Sequence, residues 1–192
     1  DLSTSSVIGT CSLRRRGQIR NIRKDLVIKD IRGNIQTRID KVHFGEYDAI
    51  ILAAAGLIRL GYDISQYYIF DFDEIIPAPG QGALAVETRR NDEELKQILS
   101  KIDNLSIRKA VEVERSILKH IGSGCSVPIG VFAYSTDKGL NIVACHVDQN
   151  SGEKSIVRRQ NVKGATEEIA GKIANILLSA MEKTIPMGID CN

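Results

Sequence analysis

Aromatic residues are scarce in this sequence, 5% of 192 residues with no tryptophan, and none lies between Leu13 and Val42, where basic residues are densest. Proteins that bind single-stranded nucleic acid interleave stacking rings with their cations, so no nucleic-acid partner is expected. Cysteine is confined to Cys11, Cys125, Cys145 and Cys191, with no Cys-x-x-Cys pair, and His43, His120 and His146 are equally scattered. That spacing suits neither a zinc site nor a disulfide framework, so no metal is expected and a reducing cytoplasm fits. The longest apolar run, Ala49 to Ile58, is far short of the roughly 20 residues of a membrane span. No basic leader followed by an apolar segment opens the chain, so neither a membrane nor an export route is expected. A starting Met is also lacking, and Asp1 reads as an internal point of a longer protein.

What is present is an ordinary globular composition, 43% apolar and 26% charged, long enough for one large domain or two small ones. The net charge is only +2, but half of the fourteen arginines fall between Arg14 and Arg38. With Lys24 and Lys29, against Asp25 and Asp30 alone, that stretch carries a local excess of seven positive charges.

Periodicity divides the chain into two parts. In the first, Val7-Ile8-Gly9 reads as a strand, and Leu13, Ile19, Ile22 and Leu26 mark an apolar helix face. Leu26 to Ile31 reads as a second strand, Ile35, Ile39 and Val42 as a second helix stopped at Gly45, and Asp48 to Ala53 as a third strand apolar enough for burial on both faces. Strand and helix in alternation imply an α/β lobe with a parallel sheet. Pro77 to Gly82 punctuates the chain. It is followed by an expected strand, Ala83 to Thr88, and a polar helix to about Ser100. The second part reads as αβββα, a small α+β unit. Its first helix, Ser106 to Ile121, carries Ile107, Ala110, Val111, Ile117 and Leu118 on one side. Strands follow at Val127–Tyr134, Leu140–Val147 and Ser155–Val162, with a turn at Asn150-Ser151-Gly152. The last helix, about Thr166 to Lys183, is expected to bury Ile169, Ile173, Ile176, Leu177 and Ala180.

A parallel sheet gathers the carboxyl ends of its strands on one edge, where such folds bind ligands. Each of the three strands here releases an arginine there: Arg14 and Arg15 after Thr10-Cys11-Ser12, Arg32 and then Arg38 after the second strand, and Arg59 after Ala54-Ala55-Gly56. The same loops open helices, whose free N–H groups favour anions, and Ser12 and Asn34 are suited to cap them. The planar guanidinium fork binds both oxygens of a carboxylate. The pattern predicts a cleft for a ligand with several carboxylates or phosphates, while Arg16, Arg20 and Arg23 read as solvated helix-face residues. Cys125 follows Gly-Ser-Gly on a flexible connection and reads either as a functional thiol or as an ordinary loop cysteine. Cys145 alternates within a strand and reads as buried filler.

These segments, taken together, resemble the porphobilinogen deaminase (hydroxymethylbilane synthase) family. Ile8-Gly9-Thr10-Cys11-Ser12-Leu13-Arg14-Arg15 is similar to a family motif in which the position of Cys11 is commonly Ser. Ile31-Arg32-Gly33-Asn34, Thr37-Arg38, Tyr47 to Ala53, Gly56-Leu57, Arg59-Leu60-Gly61 and Gly80-Gln81-Gly82-Ala83 continue the resemblance in order. The most specific stretch is Gly122-Ser123-Gly124-Cys125-Ser126-Val127-Pro128-Ile129-Gly130, which resembles the family's cofactor-attachment signature.

The resemblance implies a transferase of porphyrin and heme biosynthesis, acting on porphobilinogen with release of ammonia. Its dipyrromethane cofactor would be bound to Cys125 through a thioether. Arg14, Arg15, Arg32, Arg38 and Arg59 would hold the carboxylates of the cofactor and growing polypyrrole, with Thr10 and Ser12 adding hydrogen bonds. It also implies that residues 1–76 form a second domain shaped like a binding-protein lobe. Residues 77–103 would return to a first domain otherwise missing, and 104–192 would form the cofactor domain. The family's catalytic Asp has no counterpart here, so an inactive fragment is expected, from a protein monomeric when complete. A non-catalytic polyanion- or solute-binding module is the rival reading: it explains the arginines but not the cysteine signature.

Overall fold

Val7, Ile8 and Gly9 form β1 (Val7–Gly9) at the centre of a small parallel sheet in a computed structural model, which describes residues 2–122, 127–148 and 152–184. β2 (Val27–Lys29) and β3 (Ala49–Ile50) flank it in the order β2-β1-β3, with Ile8 opposite Ile28 and Ala49. The connections are α1 (Leu13–Ile22), α2 (Ile35–His43) and then α3 (Ala54–Arg59). Ser12 and Asn34 are their expected caps: Ser12 Oγ accepts from the Arg15 N–H at 3.4 Å, and Asn34 Oδ1 from that of Thr37 at 2.8 Å. Gly45, just past the second helix, has the positive φ of +75° that ends helices cheaply. Ile8, Ile19 and Leu26 form the lobe's core with Ile28, Ala49, Ile51, Phe70 and Ile75 around them.

Two expectations for this part need correction. The third strand pairs only over Ala49–Ile50 and is half-buried, because the sheet ends at β3 and one of its edges meets no further strand. The strand expected at Ala83–Thr88 does not form. Its apolar residues are not covered, Leu84 being 77% and Val86 62% exposed, and a strand without a partner leaves its backbone unpaired. Beyond it, α4 (Glu93–Ser100), capped by Asp92, keeps Leu95 and Ile98 exposed.

The second unit matches αβββα. α5 (Leu105–Ile121) leads to β4 (Ile129–Thr136), β5 (Gly139–Val147) and β6 (Lys154–Val162), an antiparallel sheet in that order, and α6 (Thr166–Thr184) closes it. The helices bury Val113, Ile117, Ile173 and Leu177 against Val131, Ile142 and Ala144. Each fully buried aliphatic side chain contributes about 1.5–3 kcal/mol, well above an exposed ion pair such as Lys172–Glu168, worth about 0.2–1 kcal/mol. Ile107 and Ile176, expected in this core, are exposed; the inward faces instead use Ala110, Val113 and Ile117 on α5 and Ile169, Ile173 and Leu177 on α6. The expected turn at Asn150-Ser151 lies outside the described residues.

A seam joins the two units. Ile76, fully buried, packs with Val143, Cys145 and Val147 on the sheet face opposite the helices. Phe72 stacks on Phe132 at 3.9 Å, and Lys154 Nζ donates to the carbonyls of Asp73 and Glu74. Cys145 is therefore the buried filler its strand alternation suggested.

Candidate functional site

The basic stretch separates into two groups once partners are assigned. Arg16 pairs with Asp30, and Arg23 donates twice to Asp25 at 2.7 Å, so the two acidic residues of the stretch are both used by helix-face arginines. The loop arginines are bound differently. Arg15 Nη1 donates to the carbonyl of Ile51 at 2.8 Å, and Arg38 Nε to that of Gly33 at 2.7 Å. Neither has a carboxylate partner among the described residues.

Arg15 and Arg38 also feel each other. Burial pushes the Arg15 guanidinium below its ordinary value, and the neighbouring charge of Arg38 pushes it further. Both cations are thus held by neutral carbonyls, next to the capped starts of α1 and α2, where helix N–H groups favour anions. Arg14 is placed otherwise. It is only 7% exposed, and its Nη1 donates to the carbonyl of Ile76 in the seam. Burial lowers it to about 10, with Arg15 adding to the effect and Cys145 opposing it. Arg14 thus sits behind Arg15, between the lobe and the second unit.

The remaining expected residues are less concentrated. Thr10 is buried, and its Oγ1 accepts from the Ser12 N–H at 3.2 Å, which shapes the first loop around the α1 cap. Arg32 is exposed immediately after Ile31, and Arg59 is exposed in the last turn of α3; neither makes an ion pair among the described residues. Cys11 is exposed and donates to the carbonyl of Ile31 at 2.9 Å. Cys125 lies outside the described residues.

Two polar residues that composition and spacing did not single out are built into the surroundings. Gln18, wholly buried in α1, exchanges two hydrogen bonds with the backbone of Ile76. Glu114, buried in α5, accepts from the N–H groups of Gly80 at 2.6 Å and Ala133 at 2.7 Å. Burial raises its carboxyl, an effect those two donors partly offset. The available signal was a polar residue on the buried stripe of a helix, which requires a partner, though nothing in sequence identifies which.

Comparison with known proteins places these features. Residues 1–97 match the family model described as porphobilinogen deaminase, dipyromethane cofactor binding domain, and residues 108–180 match porphobilinogen deaminase, C-terminal domain. Among curated proteins, the porphobilinogen deaminase of Geobacillus kaustophilus (strain HTA426) is 44% identical over 93% of this chain and 57% of its own length. That of Roseiflexus sp. (strain RS-1) is 47% identical over 69% of this chain and 44% of its own. That of Limosilactobacillus reuteri (strain DSM 20016) is 38% identical over 93% and 58%. The chain thus spans less than two thirds of these relatives. No helix among the described residues is long and apolar enough to cross a membrane.

Proposed function

Because the chain belongs to the porphobilinogen deaminase family, we propose that it supplies the carboxylate-binding lobe and the cofactor-bearing domain of a cytoplasmic transferase. That enzyme joins porphobilinogen units into the linear tetrapyrrole hydroxymethylbilane and releases ammonia. The observation that carries the reading is the contrast between Arg16 and Arg23, neutralised by Asp30 and Asp25, and Arg15 and Arg38, which have no carboxylate partner among the described residues. A substrate rich in carboxylates is the ligand such a pair accepts.

The dipyrromethane of this family fits that charge pattern. Cys125 would hold it through a thioether, and Arg14, Arg15, Arg32, Arg38 and Arg59 would hold its carboxylates, with Thr10 and Ser12 beside them. When bound it supplies the pyrrole carbon at which the chain grows. Arg15 and Arg38 bind and orient carboxylates, and an arriving anion relieves their repulsion, so the charge pattern itself favours an anion. The position of Arg14 is set by the seam, where its Nη1 donates to the Ile76 carbonyl.

Such binding is equal before and during reaction, and equal binding does not lower the chemical barrier. A carboxylate that favours the cationic transition state is required. Asp25 and Asp30 are occupied by Arg23 and Arg16, and Glu87 is exposed in an unpaired segment. We assign that carboxylate to the part of the relatives that this chain does not span. Residues 1–76 and 104–192 then act as the second and cofactor domains. Residues 77–103 return to the first, an assignment supported by the exposed Leu84, Val86, Ile98 and Ile102.

The test is to express residues 1–192 and assay porphobilinogen consumption with and without a separately made polypeptide matching the remainder of a relative. Turnover is expected only in the complemented mixture. Robust turnover by the isolated chain would overturn the division of labour. Carboxylate binding with neither turnover nor a covalent pyrrole adduct would support a solute-binding module instead.

A further inference from the structure

Gln18 has no place in the carboxylate site, yet it is among the most completely buried polar side chains of the protein. Its amide meets the backbone of Ile76 twice: Nε2 donates to the carbonyl at 3.0 Å, and Oε1 accepts from the N–H at 2.8 Å. The side chain thereby imitates one rung of a β-ladder across 58 residues of sequence. Arg14, one helical turn earlier, donates to the same carbonyl. The next carbonyl, of Pro77, accepts from the N–H of Val131 in β4 at 2.9 Å. A side chain carbon at Gly130 would stand 2.7 Å from the Ile76 carbonyl, and one at Gly17 would stand 2.6 Å from the Val147 side chain. Backbone and helix are in contact with no slack. Of the other seam bonds, the Arg158–Asp73 pair is exposed, where ion pairs contribute little, and Lys154 donates to the carbonyls of Asp73 and Glu74.

We infer that Gln18 is a positioning residue: acting through Ile76, it fixes α1, with Arg15 in its first turn, against the sheet whose first strand follows the Cys125 segment. The coupling stands on geometry alone. Its consequence for chemistry rests on the function proposed above, since the carboxylate site and the attached cofactor must keep a set distance. Leucine at this position fills the space but leaves the Ile76 N–H and C=O unmatched. Glutamate keeps the acceptor for the N–H and loses the donor to the carbonyl.

Amide hydrogen exchange on the 192-residue chain tests the coupling. Gln18→Leu is expected to speed exchange at Ile76 and also at Val131, which Gln18 does not touch, by about tenfold. Ala144, in the central strand β5, should change less than about twofold. Gln18→Glu should give an intermediate effect at Val131. Equal acceleration at Val131 and Ala144, or none at Val131, would make Gln18 a packing residue only and overturn the inference. In the complemented mixture, Gln18→Glu is expected to lower kcat and leave KM for porphobilinogen unchanged, because Arg15 and Arg38 are intact. Equal effects on both, or no effect, would overturn the positioning role. A wild-type mixture without turnover would refute the proposed function instead, and the exchange result would still decide the coupling.

Discussion

Arg15 and Arg38 are held by the carbonyls of Ile51 and Gly33 and by no carboxylate among the described residues, and the charge of Arg38 adds to burial in lowering the pKa of Arg15. Their helices start from different strands, β1 and β2, which pair in parallel and so deliver both loops to the same edge. Like charges brought together this way cost free energy unless an anion joins them. The fold accepts that cost at the one edge where its loops converge.

Replacement of these arginines should therefore separate from replacement of their neighbours. A charge-assisted bond to a carboxylate is worth about 1.5–3 kcal/mol, so Arg38→Ala or Arg15→Ala is expected to weaken porphobilinogen binding by roughly 10- to 100-fold. Arg23→Ala removes an exposed pair with Asp25 and should leave binding unchanged. Titration calorimetry on the three variants checks this, and equal losses in all three would contradict a localised site.

Covalent attachment should depend on one thiol. Cys125→Ala is expected to abolish the pyrrole adduct in the complemented protein, as read by intact mass. Cys145→Ala should keep the adduct while lowering thermal stability, because its thiol is fully buried beside Ile76 and Val147 and its removal leaves a cavity. An adduct that persists on the Cys125 variant would remove the assignment.

His146 should make stability depend on pH. It is 7% exposed, its Nδ1 has no partner among the described residues, and burial holds its pKa below 6.5, against a smaller upward pull from Asp148. The unfolded chain then binds a proton that the folded chain refuses. Stability from this group is full above the unfolded value and is lost as pH falls below about 6.5 toward the depressed folded value. His146→Leu should melt at a higher temperature relative to the parent at pH 5 than at pH 8. A constant difference across that range would contradict the buried neutral imidazole.

The seam glycines should be intolerant in proportion to their surroundings. Gly130→Ala forces a carbon against the Ile76 carbonyl and is expected to cost about 1–3 kcal/mol by overpacking. Gly45→Ala meets open space but has a φ of +75°, which should cost about 1 kcal/mol. Urea denaturation of both variants measures the order, and a larger loss at Gly45 would argue against the tight seam.

Much of this architecture was legible in residue order because its signals are local. Ser12 and Asn34 announced their helices, Gly45 marked a stop, and the run from Leu140 to Val147 gave β5 to within one residue of its start at Gly139. Sequence read less well where the partner is remote. The apolar run from Ala83 to Val86 suits a strand, but a strand exists only by pairing. Gln18 and Glu114 interrupt apolar helix faces, and each is satisfied by backbone far away in sequence, at Ile76 for the one and at Gly80 and Ala133 for the other. The arginine loops were visible, but the split between neutralised and unpaired cations was not, because Asp30 reaches Arg16 only after β2 and α1 are packed.

The short path from Ile76 to Gly80 makes these hydrogen bonds through main-chain atoms: Ile76 to Gln18 and Arg14, Pro77 to Val131, Gly80 to Glu114. Main-chain partners are indifferent to most side-chain exchanges but not to counting. One residue inserted or deleted between Ile76 and Gly80 would shift either end against partners that stay where they are. Outside the buried Ile76 side chain, this segment should thus hold its length more strictly than its composition, and a library of single insertions and deletions across the protein should find it among the least permissive places.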